Sequence, residues 1–366
     1  MKIICANQNI KEILSIAERN VSKNQTLPIL NSVFLNAEDG KLQVRATNLE
    51  TAIEANVFCT VKEKGSLVIP AKILYTYLSN INDEQITLQS QKSNLFIKTN
   101  NSETVIRGMS VDEFPLFPKI DVINSFSMPC DLLKESLSQV VSASSQSEIK
   151  PELASVLFKI FKNSVKFAAT DSFRLAEKTI VSKTINSDKQ YNFLVPQKSV
   201  HEILRILVNN EIINVGFGKN QMILETKQLK FISRLTDGVF PDYEQIIPKT
   251  FKTDVLITHN SILKNLKIAS IFVGKLNEIN LNFEPHKKLV LISASHPEAG
   301  EHSSEVSANI EGEEVNIKFN YKYLLDGISQ INSEYISFNL NGSDSPLLIK
   351  GKGDSSFIYL AMPMRV

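Results

Sequence analysis

The sequence predicts an α+β protein of three similar domains, each of two short helices and several strands. Three observations predict it. A strand, a break and a short amphipathic helix recur six times, the intervals between them alternate apolar with polar residues, and two Phe-Pro-rich segments lie about 125 residues apart. A fixed period of this kind constrains architecture before any local motif does.

The clearest copy is "GSLVIPAKILYTYLSNI" (65–81). Leu67 and Ile69 alternate up to Pro70, whose fixed φ and missing N–H suit the end of a strand and the start of a helix. Leu74 and Leu78 then fall on one helical face. "SFSMPCDLLKESLSQVV" repeats this with Pro129, Leu133 and Leu137, and "YNFLVPQKSVHEILRIL" with Pro196, Val200 and Leu204. Weaker copies stand at Ala6, Ile10 and Leu14, at Thr258, Ile262 and Leu266, and at Asn320, Leu324 and Ile328. Successive breaks are roughly 60 to 67 residues apart.

Between the helices, stretches such as "LNAEDGKLQVRAT", "QITLQSQKSNLFIKTN", "SVKFAATDSFRLAEK", "IINVGFGKNQMILET" and "EYISFNLNGSDSPLLIK" alternate around Asp-Gly, Asn and Ser turns and read as strands. Each repeat is therefore one helix with several strands, and two repeats make a domain. "DEFPLFPKI" (112–120) and "GVFPDYEQIIPK" (238–249) resist helix and inner strand, so they read as stiff linkers. The expected domains are 1–121, 122–250 and 251–366.

Composition narrows the function. The 366 residues suit two or three domains, and 43% hydrophobic with 22% charged residues describes a soluble globular chain. No stretch approaches a membrane span, and the N-terminus turns polar too early for a signal peptide, which points to the cytoplasm. Cys5, Cys59 and Cys130 are widely separated and read as buried or half-buried thiols rather than a disulfide framework or zinc site. A formal net charge of +1 makes no global case for nucleic acid, membrane or acidic substrate.

The placement of charge says more. In the first helix of each domain a lysine follows the break by five or six residues (Lys11, Lys134, Lys264), and in the second by two (Lys72, Lys198, Lys322). Such a repeat would line one surface with cations, although exposed helix faces carry lysine in any case. There is no base-reading motif, so any nucleic acid would be held through phosphate, without sequence preference and sensitively to salt.

Catalytic and metal motifs are incomplete. "HEILR" has Arg205 where a zinc-protease helix needs its second histidine. Ser261 and Lys264 have the Ser-x-x-Lys spacing without its companion elements. His296, Glu298, Glu301 and His302 are explained equally by a polar turn, and "GKGD" lacks the context of a phosphate loop. Neither enzyme, cofactor nor metal is expected.

"TLPIL" (26–30), "TDSFRLA" (170–176), "GVFPDYEQIIP" (238–248), "SHPEAGE" (295–301) and the terminal "MPMRV" (362–366), taken in this order, resemble the bacterial β sliding clamp family over essentially the whole chain. The resemblance implies three domains of one fold, each of two helices backed by antiparallel β-sheets (a DNA clamp fold), and a head-to-tail dimeric ring around double-stranded DNA, helices inside and sheets outside. The implied partners are the replicative polymerase, the clamp loader and repair polymerases, each inserting a linear peptide. The family's peptide pocket maps onto Leu153, Thr170, Ser172, Arg174, Leu175, Pro241, Ile246, Leu360, Met362, Pro363 and Met364. Methionines there would suit several apolar ligands.

Lys150, in "SQSEIKPE", and Lys23 match DNA-facing loops, with Asn24 where some relatives have arginine. Ser172, Phe173 and Gln245 depart from the common pattern, which bears on partner preference. Ile106, Ile271 and Phe272 match the subunit interface. The alternative reading is a β-rich peptide-binding scaffold that does not encircle DNA.

Overall fold

The computed structural model describes residues 1–22, 27–185, 187, 189–208 and 210–364. Each of the six breaks is followed at once by a helix: α1 (Asn7–Arg19), α2 (Ala71–Ser79), α3 (Cys130–Val141), α4 (Gln197–Ile206), α5 (His259–Ala269) and α6 (Tyr321–Ile328). Pro70 at φ −54°, ψ 116° and Pro196 at φ −52°, ψ 138° carry extended backbone up to the first helical residue. Helices of 8 to 13 residues are too short to persist alone in water, so each depends on the face it buries. Ile10 and Leu14, Leu74 and Leu78, Leu133 and Leu137, Ile262 and Leu266, and Leu324 and Ile328 are fully buried. α4 differs from expectation, because Val200 is followed inward by Ile203 while Leu204 is half-buried; the i+3 step, not i+4, meets the core here.

The chain packs as two compact units, residues 1–130 with 208–235, and residues 131–207 with 236–366. The expected middle domain thus contributes chain to both. The cause is backbone pairing: Leu229–Ser233 adds to Thr51–Ala55, and Arg174–Lys178 adds to Phe357–Ala361. In the first unit a five-stranded sheet runs Thr60–Glu63, Lys2–Ala6, Gln85–Gln91, Asn94–Lys98, Glu103–Arg107. An eight-stranded sheet runs Asn124–Pro129, Ile212–Phe217, Gln221–Glu225, Leu229–Arg234, Thr51–Phe58, Lys41–Thr47, Ser32–Glu38, Gly65–Pro70. α1 packs on α2.

The second unit has one twelve-stranded sheet in which Ser155–Phe161, Ser164–Thr170, Arg174–Val181 and Phe357–Ala361 are successive neighbours, and α5 packs on α6. The strands pair antiparallel. Among the described residues no helix is long and apolar enough to cross a membrane. Cys5 and Cys130 are buried and Cys59 half-buried; burial first, and Cys59 second, push the Cys5 thiol up to about 12.

The apolar C-terminal segment is docked rather than frayed. Phe357, Tyr359, Leu360 and Ala361 are buried in the sheet. The Tyr359 ring lies against Gly327 of α6, where a Cβ would collide with three of its ring carbons. Helical glycine is unfavourable by about 1 kcal/mol, but here its bare Cα makes room for the largest fully buried side chain. Gly327→Ala is expected to lower stability to urea by about 1–3 kcal/mol through overpacking, despite the better helix former; an unchanged unfolding midpoint would contradict this contact.

Candidate functional site

The site is built from a turn, a strand end and a Pro-rich segment. The turn spans Thr170 to Arg174. Thr170 donates its hydroxyl to the Arg174 carbonyl (2.7 Å) and accepts the Ser172 N–H (3.2 Å). Asp171 Oδ1 accepts the N–H groups of Phe173 (2.9 Å) and Arg174 (3.0 Å). Short Thr and Asp side chains are suited to this local closure. So tight a turn places Ser172 at φ +78°, a region glycine adopts freely and serine does not. The chain after Ala361 then seals against it: the Met362 N–H donates to the Phe173 carbonyl (2.9 Å), and the Met364 N–H to the Lys318 carbonyl (2.8 Å).

Arg174 is 8% exposed. Its Nε donates to Asp171 Oδ2 at 2.9 Å and its Nη1 to Asp326 Oδ2 at 2.5 Å, while the guanidinium covers the Tyr323 ring at 4.6 Å. Burial opposes the charge, but Tyr359, Asp171 and Asp326 outweigh it and raise the Arg174 pKa. Its Nε and Nη1 donors hold the turn against α6.

The third wall comes from the segment expected to be a linker. It packs closely instead: Tyr243 is 4% exposed and buried among Leu157, Ala168, Leu175, Leu194, Leu348 and Leu360, with Phe240 edge-on at 5.8 Å. The Tyr243 hydroxyl donates to Glu177 Oε2 at 2.5 Å. Lys166 also reaches Glu177 (3.3 Å), and Lys159 holds Glu244 (2.9 Å). Two lysines and a phenol thus satisfy two carboxylates, Glu177 buried and Glu244 exposed.

These walls enclose a cavity of about 130 Å³ lined by Thr170, Ser172, Arg174, Leu175, Pro241, Asp242, Tyr243, Ile246, Leu360 and Met362. Eight of the eleven residues named from the sequence are among them. Leu153, buried, and Pro363 and Met364, half-buried, are not among the lining residues. Asp242 and Tyr243 were not foreseen; the available signal was an aromatic inside "FPDY", whose hydroxyl must find a partner if buried. The cavity can accept one or two apolar side chains, with backbone groups of the turn and tail at its edge.

Of the predicted cations, Lys72, Lys150, Lys198, Lys264 and Lys322 are exposed, and Lys11 and Lys134 are half-buried. Lys198 pairs with Glu148 at 2.5 Å, so it is partly neutralised. Lys23 and Asn24, like Arg365 and Val366 of the terminal motif, lie outside the described residues. Ile106 is on the edge strand Glu103–Arg107, but its side chain is buried at 5% exposure and Val105 and Arg107 face outward. Ile271 is 69% exposed, and Phe272 stacks on His302 at 5.7 Å.

Three family models match in order: the DNA polymerase III beta subunit N-terminal domain over residues 1–118, the central domain over 127–242 and the C-terminal domain over 244–365. The chain belongs to the DNA polymerase III beta subunit family. It is similar to the Beta sliding clamp of Bacillus subtilis (strain 168), at 29% identity over 378 residues and 100% of each chain. A crystal structure of a DNA polymerase sliding clamp from Bacillus subtilis matches with a TM-score of 0.95 at 29% identity, covering 100% of this chain and 99% of that one. A sliding clamp from Pseudomonas aeruginosa bound to griselimycin matches with a TM-score of 0.96 at 25% identity and 100% of both. The α+β clamp fold and the role of processivity clamp follow from this membership.

In this clamp the Tyr243 phenol is held above its ordinary range, by burial first and then by the Glu177 charge. The contribution of the protonated phenol is therefore fully present below the unfolded value of about 10 and is lost as pH rises above it. Urea unfolding between pH 8 and 11 should show stability falling more steeply for the native chain than for Tyr243→Phe, which itself should cost about 1–2 kcal/mol at pH 8. Parallel curves would exclude this coupling.

Proposed function

We infer that two copies of this chain close head to tail into a ring around duplex DNA and tether the replicative polymerase to it. The reading is supported by one observation above all: three clamp-domain matches run in order along a chain whose six helices carry lysine at equivalent turns. The three domains divide at 1–121, 122–250 and 251–366. Lys11, Lys72, Lys134, Lys198, Lys264 and Lys322 meet phosphate without reading bases, and Lys150 and Lys23 add to this. With a net charge of +1 the grip on DNA is weak, and retention comes from topology. The chain does no chemistry itself and acts in the cytoplasm.

Ile271 and Phe272 face the partner copy across the strand that holds Ile106; the exposure of Ile271 supports this. Loaded by a clamp loader onto a nicked circular plasmid and washed at high salt, the protein should stay on the circle and leave once the DNA is cut. The double variant Ile271→Ala, Phe272→Ala should wash off the circle. If the native chain washes off under a loader competent with a known clamp, the β-rich scaffold that does not encircle DNA is the correct reading.

The cavity at Leu175, Leu360 and Met362 takes the apolar end of a linear peptide from polymerases, the clamp loader and repair polymerases. Its apolar lining and the backbone edge beside it support this. Deleting residues 362–366 removes one wall and should weaken binding of a polymerase-derived peptide at least tenfold in fluorescence anisotropy; full affinity after deletion would refute the assignment.

A further inference from the structure

The turn at residues 170–174 is built a second time, in the other unit. Thr47 donates its hydroxyl to the Thr51 carbonyl (2.8 Å) and accepts the Leu49 N–H (3.0 Å). Asn48 Oδ1 accepts the N–H groups of Glu50 (2.9 Å) and Thr51 (2.7 Å). Leu49 stands at φ +73°, as Ser172 stands at +78°.

The neighbouring strand follows the same plan. The Arg234 N–H donates to the Glu50 carbonyl at 2.9 Å, as the Met362 N–H does to that of Phe173. Ile232 pairs with Ala52 as Leu360 pairs with Leu175. Phe114-Pro115 stands where Phe240-Pro241 stands in the first site. Together these elements enclose a second cavity, of about 110 Å³.

Two exposed leucines stand at its mouth, at a cost to the free protein. Leu49 is 53% exposed while held in a left-handed conformation, and Leu116 is 95% exposed. Neither solvation nor backbone preference favours a leucine at the first of these positions, and strain of this sort persists where the surroundings require it.

Two exchanges set its chemistry apart. Thr51 replaces Arg174, and Arg234 replaces Met362. Arg174 is buried and ion-paired with Asp171 and Asp326, whereas Arg234 is exposed and takes part in no ion pair among the described residues. Glu50 and Gln221 supply further polar groups at the rim, suited to the amides of an extended chain.

We propose that this second pocket binds a linear peptide, placing one aliphatic or aromatic side chain among Leu49, Pro115, Leu116 and Ile232 and a carboxylate on Arg234. The proposal leans on the peptide reading of the first pocket, because the two share a backbone scaffold. Arg–carboxylate pairing supplies its selectivity.

The test uses the full chain and a hexapeptide, Gly-Ser-photoleucine-Phe-Asp-Asp, with its Asn-Asn counterpart as control. After irradiation, adducts are mapped by mass spectrometry. The expected result is labelling within residues 47–52 and 115–118, reduced at least fivefold by the control peptide and by Arg234→Glu, and restored by Arg234→Lys. Labelling confined to residues 241–246 would overturn the second pocket and leave the first intact. Labelling at 47–52 that ignores Arg234→Glu would overturn it as well. Charge-dependent labelling at 47–52 with none at 241–246 would support the second pocket and count against the first.

Discussion

The ladder between Arg174–Lys178 and Phe357–Ala361 is the constraint on which the candidate pocket depends. It sets Leu360 beside Leu175, so both point into the cavity, and it delivers Met362 to the Phe173 carbonyl. Arg174 locks the same place from the other side. Asp171 and Asp326 take its Nε and Nη1 from the turn and from α6. Arg174 is thus both a clasp for the turn and part of the cavity lining.

Under both cavities a glutamate sits on the strand that follows the turn, and the two units neutralise it differently. Glu177 is held by the Tyr243 phenol and by Lys166. Glu54 is held by Arg45, whose guanidinium also covers the Phe34 and Phe117 rings at 5.7 Å and 5.2 Å. In each case the aromatic residue three places after the Phe-Pro phenylalanine contributes to the solution. The repeat preserves a physical problem and varies the answer.

Much of this was legible in the sequence because it was periodic. The break residues mark the helix starts, since proline or an extended residue ends a strand just where the apolar spacing changes from two to four. The tail was legible because apolar residues such as Tyr359 and Leu360 need cover. Other features depend on contacts far apart in the chain. Tyr243 is buried through Glu177, which no local pattern announces. The inward side chain of Ile106 follows from the parity of its strand, which alternation around Val105 and Arg107 already implied. The second turn escaped notice because "TNLET" and "TDSFR" share only a threonine and an Asx residue, and the shape is carried by those two side chains alone.

The strand Arg174–Val181 has a further consequence for how the chain is made. Its partner on one side, Ser164–Thr170, has already left the ribosome when it emerges, but its partner on the other lies about 180 residues ahead. At about 5–20 residues per second, translation leaves that edge unpaired for on the order of 10–40 s. Thr51–Phe58 waits similarly for Leu229–Arg234. Open strand edges recruit foreign strands. The nascent chain therefore passes through two intervals in which a half-finished sheet presents an open edge.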